Sequence, residues 1–157
     1  MDYADILKAL ASTDARFAVA GGFASLAHGV VRVTMDLDLV VDAQDDNLTL
    51  LWDTLTGLGF SPQQPIPRAN AVSAEALLRI AGEKGMRAFS WNHGTQPFLV
   101  VDLLVGSPFQ WNEDLVERVK IFGVEVLVLR KEELIRLKLF AGRDKDLADV
   151  RELEKLP

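Results

Sequence analysis

Asp36 and Asp38 are separated by a single residue in the segment MDLDLVVD. Because the side chains of a strand alternate between its two faces, we expect both carboxylates on one face, with Leu37 and Leu39 on the other. Two neighbouring carboxylates repel each other unless a cation, a proton or open solvent accompanies them. An exposed strand edge would meet that need as well as a metal ion, so the pair alone does not define a site.

Asp102 is the only polar residue of FLVVDLLV, an apolar run that is typical of a central strand. Burying a carboxylate there costs free energy unless it is paired, hydrogen-bonded or bound to metal. A neighbouring arginine or a backbone amide would satisfy it, whereas three carboxylates on two strands would suit a hard, oxygen-ligated ion such as Mg²⁺. The chain has no cysteine, and we expect its two histidines, His28 and His93, in loops or at the surface, so a zinc site is poorly supplied.

A glycine pair stands ahead of the acidic strand, where Gly21 and Gly22 join the predicted strand RFAVA to a predicted helix. Glycine allows a backbone to approach a phosphate closely, and the start of a helix offers free N–H groups. Many strand–helix turns need glycine for their geometry alone, so this signal is weak. Ser25 would either bind a phosphate or sit in the first helical turn, and Arg32 and Thr34, in the loop before Asp36, are further candidates for binding a nucleotide.

The C-terminal helices carry charged residues on faces that should be apolar. Lys138 lies in the middle of an apolar stripe, so it either extends to the surface or points into a cleft. The cleft is favoured because an anionic ligand would explain it. Asp146 also shares an apolar face, or it compensates the helix dipole from the first turn. Arg143 and Lys145 would bind phosphate, or pair with Asp146 and Asp149.

The elements that must position these residues are a mixture of helices and strands. Helices are predicted over 2–12, in FASLAHG directly after the glycine pair, over 46–57 and 73–81, and over 130–155 with a break near Gly142. Strands are predicted in RFAVAGG, MDLDLVVD, MRAFSW, PFLVVDLLV and VKIFGVEVLVL, and SPQQPIPRAN, with three prolines, is predicted to be a loop. The hairpin between MRAFSW and PFLVVDLLV favours an α/β sandwich with a mixed sheet, formed by one domain over residues 1–157.

Composition and charge limit the partners. The chain of 157 residues is 49% hydrophobic and 25% charged, as in ordinary globular proteins, and its net charge is −6. The acidic excess argues against non-specific binding of duplex nucleic acid, although a local basic pocket for one nucleotide is compatible with it. The acidic start MDYADILKAL does not resemble a signal peptide, and the longest apolar run is too short to span a bilayer. We therefore expect a cytoplasmic protein without membrane association.

Taken together, these residues resemble the nucleotidyltransferase superfamily of DNA polymerase beta. Its pattern is Gly-Gly or Gly-Ser, a gap, Asp-x-Asp or Asp-x-Glu, and a third acid on a later strand. Here it is GGFASLAHGVVRVTMDLDLVV, with thirteen residues between Gly22 and Asp36, followed by Asp102. The ending LIRLKLFAGRDKDLADV is similar to that of the bacterial abortive-infection (AbiEii-type) toxin transferases. Lincosamide nucleotidyltransferases are also similar, in the motifs GG-x-A and R-x-T-x-D-x-D. The widespread form of the glycine motif has Ser at the position of Gly22, whereas the branches named here use Gly-Gly.

The resemblance implies a nucleotidyltransferase fold with two C-terminal helices, and an enzyme that moves an NMP group from an NTP to an acceptor. Asp36 and Asp38 would hold two Mg²⁺ (or Mn²⁺) ions, and Asp102 would support one of them and activate the acceptor hydroxyl. The glycine turn would hold the triphosphate. Its charge would be neutralised by three basic residues of the C-terminal helices, Lys138, Arg143 and Lys145.

Three functions stay open on this basis. The chain is an active transferase, for example the toxin of a toxin–antitoxin pair; an inactive family member that acts as a binding or antitoxin subunit; or an enzyme that modifies a small molecule such as an antibiotic. We expect acceptor binding to need a protein partner, a second copy of the chain, or the Pro-rich loop at 61–70. The acceptor is left open among protein, RNA and small molecules.

Overall fold

Helices and strands are mixed along the chain in the computed structural model, which describes residues 1–106 and 108–157. The described residues form seven α-helices: α1 Tyr3–Ala11, α2 Gly21–Ala27, α3 Asp45–Gly57, α4 Arg68–Ala71, α5 Ala74–Lys84, α6 Lys131–Ala141 and α7 Asp144–Lys155. They also form seven strands: β1 Phe17–Val19, β2 Asp36–Val41, β3 Phe60–Pro62, β4 Ala88–His93, β5 Val100–Leu104, β6 Val116–Ile121 and β7 Val124–Leu129. None of the described helices is both long enough and apolar enough to cross a bilayer.

All seven strands form one mixed sheet in the order β3-β4-β5-β2-β1-β7-β6. The pairs β2–β5 and β1–β7 are parallel, whereas β1–β2, β3–β4, β4–β5 and β6–β7 are antiparallel. The predicted mixed sheet, and the hairpin between β4 and β5 that led to it, are therefore confirmed. The acidic strands β2 and β5 are neighbours near the centre of the sheet.

One face of the sheet carries a row of polar side chains across three strands. Asp38 of β2 lies opposite Asp102 of β5, and Asp102 lies opposite Ser90 of β4. Residues opposite one another in a sheet point to the same face. Helix α6 covers this face, because its Lys138 lines the same cavities as Asp38.

The other face of the sheet is apolar and forms the main core. Leu37 and Leu39 are fully buried, as the alternation of β2 predicts. Phe89 and Trp91, which flank Ser90 in β4, are almost fully buried against Trp52 of α3. With α3 on this face and α6 on the other, the sheet is enclosed on both sides, which is the predicted α/β sandwich.

The ends of the helices follow from residues at their caps. Asp2 and Asp5 form a capping box at the start of α1, and the Ser73 side chain caps α5. Gly85 ends α5 and Gly142 ends α6, both in the left-handed conformation that glycine adopts at low cost, with φ of 60° and 64°. The predicted break near Gly142 is thus confirmed.

The Pro-rich segment differs from the predicted loop. Its start belongs to β3, where Pro62 pairs with Trp91 at the edge of the sheet. Proline is tolerated there because an edge strand leaves one row of N–H groups unpaired. The segment goes on following β4: Gln63 N donates to Ser90 O over 2.8 Å, and Ser90 N donates to the Gln64 side chain over 3.0 Å. A short helix, α4, then follows, so much of this segment is held against the sheet.

Candidate active site

The three acids come together on one face of the sheet. Asp38 and Asp102 are direct partners in the parallel pairing of β2 and β5, and Asp36 lies two residues before Asp38 on the same strand. Asp36 is exposed, whereas Asp38 and Asp102 are partly buried. Strand alternation predicted this convergence of Asp36 with Asp38, and the register of the sheet adds Asp102. The catalytic role of the three stays a prediction.

Burial and mutual repulsion raise the proton affinity of the two inner carboxylates. Burial, followed by the negative charges of Asp102 and Asp36, raises the pKa of Asp38 to about 6, and Lys138 and Arg143 oppose the shift. Burial likewise raises the pKa of Asp102, against the effect of the Ser90 side chain and with a smaller contribution from Asp36. Raised carboxyl pKa values of this kind are common at sites that exchange protons or bind cations.

The glycine pair is packed against the acidic strand. Gly21 has a φ of +55°, and a Cβ atom built on it would lie 2.6 Å from the Asp38 Cγ. A Cβ atom on Gly22 would lie 2.6 Å from the Thr34 Cβ. The sequence predicted that the two glycines let the backbone approach a phosphate closely and that a helix begins after them. Both glycines instead lie in the first turn of α2, and the space beside their Cα atoms is occupied by the Asp38 and Thr34 side chains. Their contact with a phosphate stays a prediction.

A buried ionic cluster lies directly behind the carboxylates. Asp149 of α7 accepts a hydrogen bond from Lys138 Nζ at 2.6 Å and another from the Arg32 guanidinium. Ser25 is fully buried, and its hydroxyl donates to Gly21 O at 3.1 Å and approaches Asp149 Oδ2 at 3.4 Å. Ser25 therefore lies behind the glycine turn and not on a surface that a phosphate could reach. Lys138 points into the cleft, which is the alternative that the sequence analysis favoured.

The remaining charged residues of the C-terminal helices divide into paired and unpaired groups. Arg143 Nε donates to Asp146 Oδ2 at 2.6 Å, and Lys138 Nζ lies 4.0 Å from Asp146 Oδ1. Asp146 is buried, and this pairing with Arg143 is one of the two alternatives that the sequence left open. Lys145 is exposed, and no carboxylate of the described residues lies within ion-pair distance of it.

Two cavities meet at Asp38. The polar cavity, of about 250 Å³, is lined on its own side by Gly22, Arg32, Thr34, Asp36 and Lys145 among others. The apolar cavity, of about 280 Å³, is lined on its own side by Asp102, Leu104, Phe109, Leu134, Leu137 and Phe140 among others. Both share a wall formed by Gly21, Asp38, Lys138, Arg143 and Asp146. The acids are thus distributed over the two cavities, with Asp38 between the other two.

The donor atoms suit a hard divalent cation in part. Asp102 lines the apolar cavity next to Asp38, and its Oδ1 is buried without a hydrogen-bond partner among the described residues. However, no group of three or more His, Asp or Glu side chains in residues 1–106 and 108–157 stands ready to hold a metal ion. Mg²⁺ is commonly bound by one or two carboxylates together with substrate phosphates, and the Asp38–Asp102 pair meets that smaller requirement.

The histidines lie outside both cavities. His28 ends α2, and its Nε2 lies 2.8 Å from Leu129 O. His93 ends β4, where its Nδ1 accepts a hydrogen bond from Gln96 N at 3.1 Å. Both are half-buried and held by backbone groups, at the end of a helix and of a strand, whereas the sequence predicted loop or surface positions.

Ser90 was missed by the sequence analysis, although a signal for it exists. In β4 the large apolar residues Phe89 and Trp91 alternate with Ala88, Ser90 and Asn92. That alternation marks a face that is not the core, but it does not say which strand lies beside it. Only the register with β5 places Ser90 next to Asp102.

Comparison with known proteins assigns a family to this arrangement. The family described as nucleotidyl transferase AbiEii toxin, of type IV toxin–antitoxin systems, matches residues 5–155. No functionally curated protein matches the chain.

Several solved structures share the fold. A lincosamide antibiotic adenylyltransferase, LnuA, with lincomycin bound, is 14% identical with a TM-score of 0.63, over 99% of this chain and 96% of that one. ANT(2'')-Ia in complex with adenylyl-2''-tobramycin is 15% identical with a TM-score of 0.63, over 96% of this chain and 84% of that one. A Thermotoga maritima protein assigned as a nucleotidyltransferase is 14% identical with a TM-score of 0.59, over 98% and 90% of the two chains. At these identities the likeness shows the nucleotidyltransferase fold.

Proposed function

Because the chain belongs to the AbiEii nucleotidyltransferase toxin family, we propose that it is an active, Mg²⁺-dependent (or Mn²⁺-dependent) enzyme that moves an NMP group from an NTP to an acceptor hydroxyl. The observation that carries this proposal is the pairing of Asp38 with Asp102 between two cavities of different character. An inactive member would have no need to keep two carboxylates partly buried at a cost in stability.

The polar cavity suits the triphosphate. It contains the glycine corner, the exposed Lys145 and the guanidinium groups of Arg32 and Arg143. Lys145 is the cation there that is free to pair with phosphate, since Arg32 and Arg143 already contact Asp149 and Asp146 within the described residues. Phosphate oxygens accept strong, charge-assisted hydrogen bonds from such groups.

The apolar cavity suits the group that receives the nucleotide. Asp102 lines this cavity and not the polar one, so a hydroxyl bound here lies near its carboxylate. The raised pKa of Asp102 fits a general base, since a carboxylate with higher proton affinity removes a proton more readily. Asp38 and Asp102 would hold Mg²⁺ together with the phosphates, with Asp36 as a further carboxylate on the polar side, and the ion would stabilise the charge on the entering and leaving oxygens.

The proposed transfer is an in-line displacement. The acceptor oxygen attacks the α-phosphorus, the bond from that phosphorus to the bridging oxygen breaks, and pyrophosphate leaves. The hydroxyl proton passes to the Asp102 carboxylate. Lys145 binds the phosphate oxygens, and Gly21 keeps the backbone close to Asp38, so the reaction depends on positioning and charge.

The direct test uses each of the four α-labelled NTPs with Mg²⁺ and a cell extract. We expect a labelled product whose size identifies the acceptor as protein, RNA or small molecule. Asp38→Asn should abolish the label, whereas Asp14→Asn, at an exposed residue of the α1–β1 connection, should leave it unchanged. Calorimetry that detects no binding of any NTP in the presence of Mg²⁺ would refute the proposal.

The family also supports a role as the toxin of a toxin–antitoxin pair in a bacterial cytoplasm. Expression of the chain should then slow growth, and Asp38→Asn should restore it. Raised resistance to an antibiotic without slower growth would instead favour a drug-modifying enzyme. A tight protein partner together with no nucleotide transfer would favour an inactive binding subunit.

A further inference from the structure

A large groove lies beside the apolar cavity and shares part of its wall. The groove has a volume of about 910 Å³ and runs past Gln44, Leu78, Met86, Gln110 and Trp111. Three residues, Arg87, Leu104 and Phe109, line both the groove and the apolar cavity. The groove and the apolar cavity are therefore adjacent, whereas among the described residues the groove shares no lining residue with the polar cavity.

The path from the groove to the carboxylates is short. Leu104 lies two residues after Asp102 on β5, and both point to the same face of the sheet. Two residues of a strand span about 7 Å, the distance across a sugar ring and its substituents. A hydroxyl at Asp102 can thus belong to a molecule whose remaining part lies in the groove.

Among the described residues that line the groove and the apolar cavity, Arg87 is a cation without a carboxylate partner. In the groove Asp42 is neutralised by Arg16, whose Nε lies 2.6 Å from Asp42 Oδ2. In the apolar cavity Asp146 is neutralised by Arg143. Arg87 is exposed and rests over the Phe140 ring at 5.0 Å from its centroid, with no carboxylate of the described residues within ion-pair distance.

We propose that the groove is the acceptor site, and that Arg87 binds an anionic group, a phosphate or a carboxylate, on the acceptor. This rests on the proposed nucleotide transfer, which places the reacting hydroxyl at Asp102. The Phe140 ring holds the guanidinium at the boundary between groove and apolar cavity, where the fork of donors matches two oxygens of one anionic group. A polycationic acceptor would be repelled by the unpaired charge of Arg87. Apart from the catalytic acids, it would find no unpaired carboxylate among the described lining residues.

The binding test uses two matched pairs of probes, ribose 5-phosphate against ribose and gluconate against sorbitol. Inorganic tripolyphosphate with Mg²⁺ first fills the polar cavity, so that the probe anions do not bind there. Trp111 lines the groove, and its fluorescence reports binding. We expect at least one anionic probe to bind roughly tenfold or more tightly than its neutral partner, as expected for a charged hydrogen bond. The pair that shows the difference identifies phosphate or carboxylate as the preferred group.

Arg87→Gln should abolish the preference for the anionic probe. The matched control is Arg118→Gln, which makes the same change on the exposed face of β6, away from the groove. If neither anionic probe binds better than its neutral partner, or if Arg87→Gln keeps the preference, the inference is wrong.

A transfer assay separates this inference from the proposed function. The cell extract is divided on an anion-exchange column, and each fraction is offered as acceptor with α-labelled NTP. The inference predicts that the acceptor is retained by the column and that Arg87→Gln lowers transfer without changing Mg²⁺-dependent NTP binding. An acceptor in the unretained fraction would overturn the role of Arg87 and leave the transferase intact. If NTP binding itself is absent, the proposed function fails, and the probe measurements still decide whether Arg87 binds anions.

Discussion

Replacing Asp38 with asparagine should make the free protein more stable while it removes activity. Burial and the neighbouring carboxylates raise the pKa of Asp38 from 3.8 to about 6. Between these values the folded state binds more protons than the unfolded state, so the free energy of unfolding falls as pH rises through this window. The shift of about two pK units corresponds to about 2–3 kcal/mol of lost stability above pH 6, at about 1.36 kcal/mol per unit. The amide side chain of the variant would carry no such charge.

The assay is thermal unfolding of wild type and Asp38→Asn from pH 3 to pH 8, with EDTA present. At pH 8 we expect the variant to melt about 5–10 °C higher, since 1 kcal/mol shifts a domain of this size by about 2–4 °C. The stability difference should shrink to about 0.5 kcal/mol at pH 4, where Asp38 is protonated in the folded chain but only about 40% protonated in the unfolded chain, and it should approach zero near pH 3. Asp14→Asn, at an exposed position, should change the melting temperature little at any pH. A variant that is no more stable than wild type at pH 8, or a gain that does not depend on pH, would refute the reasoning.

Three further variants test other parts of the site. Gly21→Ala should lower the free energy of unfolding by about 1–3 kcal/mol and abolish transfer, because it places a side chain at φ +55° against the acidic strand. The control Gly57→Ala, at a position with open space around it, should have neither effect. Chemical denaturation measures the stability, and the labelled-NTP assay measures the transfer. Asp149→Asn should cost about 3–5 kcal/mol in the same denaturation, since it leaves Lys138 buried without its 2.6 Å partner; an unchanged midpoint would contradict this. Lys145→Ala should weaken NTP binding in calorimetry roughly tenfold or more and leave the melting temperature unchanged, because the residue is exposed and unpaired among the described residues.

Patterns within single elements predicted most of the fold. The alternation of β2 placed Asp36 and Asp38 on one face and Leu37 on the other, and this follows from the geometry of any strand. The glycine at position 142 ended α6 for an equally local reason, its left-handed backbone. The edge strand β3 was missed because proline normally excludes a strand, and the sequence does not show that this strand lies at the edge of the sheet.

The details of the site depend instead on which elements become neighbours. Ser25 and Arg32 looked like phosphate ligands because both follow the glycine pair, yet both approach Asp149, more than a hundred residues away in the chain. A carboxylate on one helix can pair with polar or positively charged side chains from several other elements. The residue periodicity within a single element does not show which of these pairs form. The same contact explains why Lys138 is tolerated on an apolar stripe: its charge is neutralised by Asp149 at 2.6 Å before any ligand arrives.

This pre-existing neutralisation changes which basic residue should matter most for the nucleotide. Lys138 and Arg143 cannot give their full charge to a phosphate without leaving Asp149 or Asp146 unpaired in a buried environment. Lys145 forms no ion pair with any described carboxylate, and it lines the polar cavity. The pairing therefore assigns Lys138 mainly to holding α6 and α7 together at the carboxylates. In the proposed function, Lys145 then supplies the larger share of the affinity for the triphosphate, whereas the sequence analysis gave Lys138, Arg143 and Lys145 the same role.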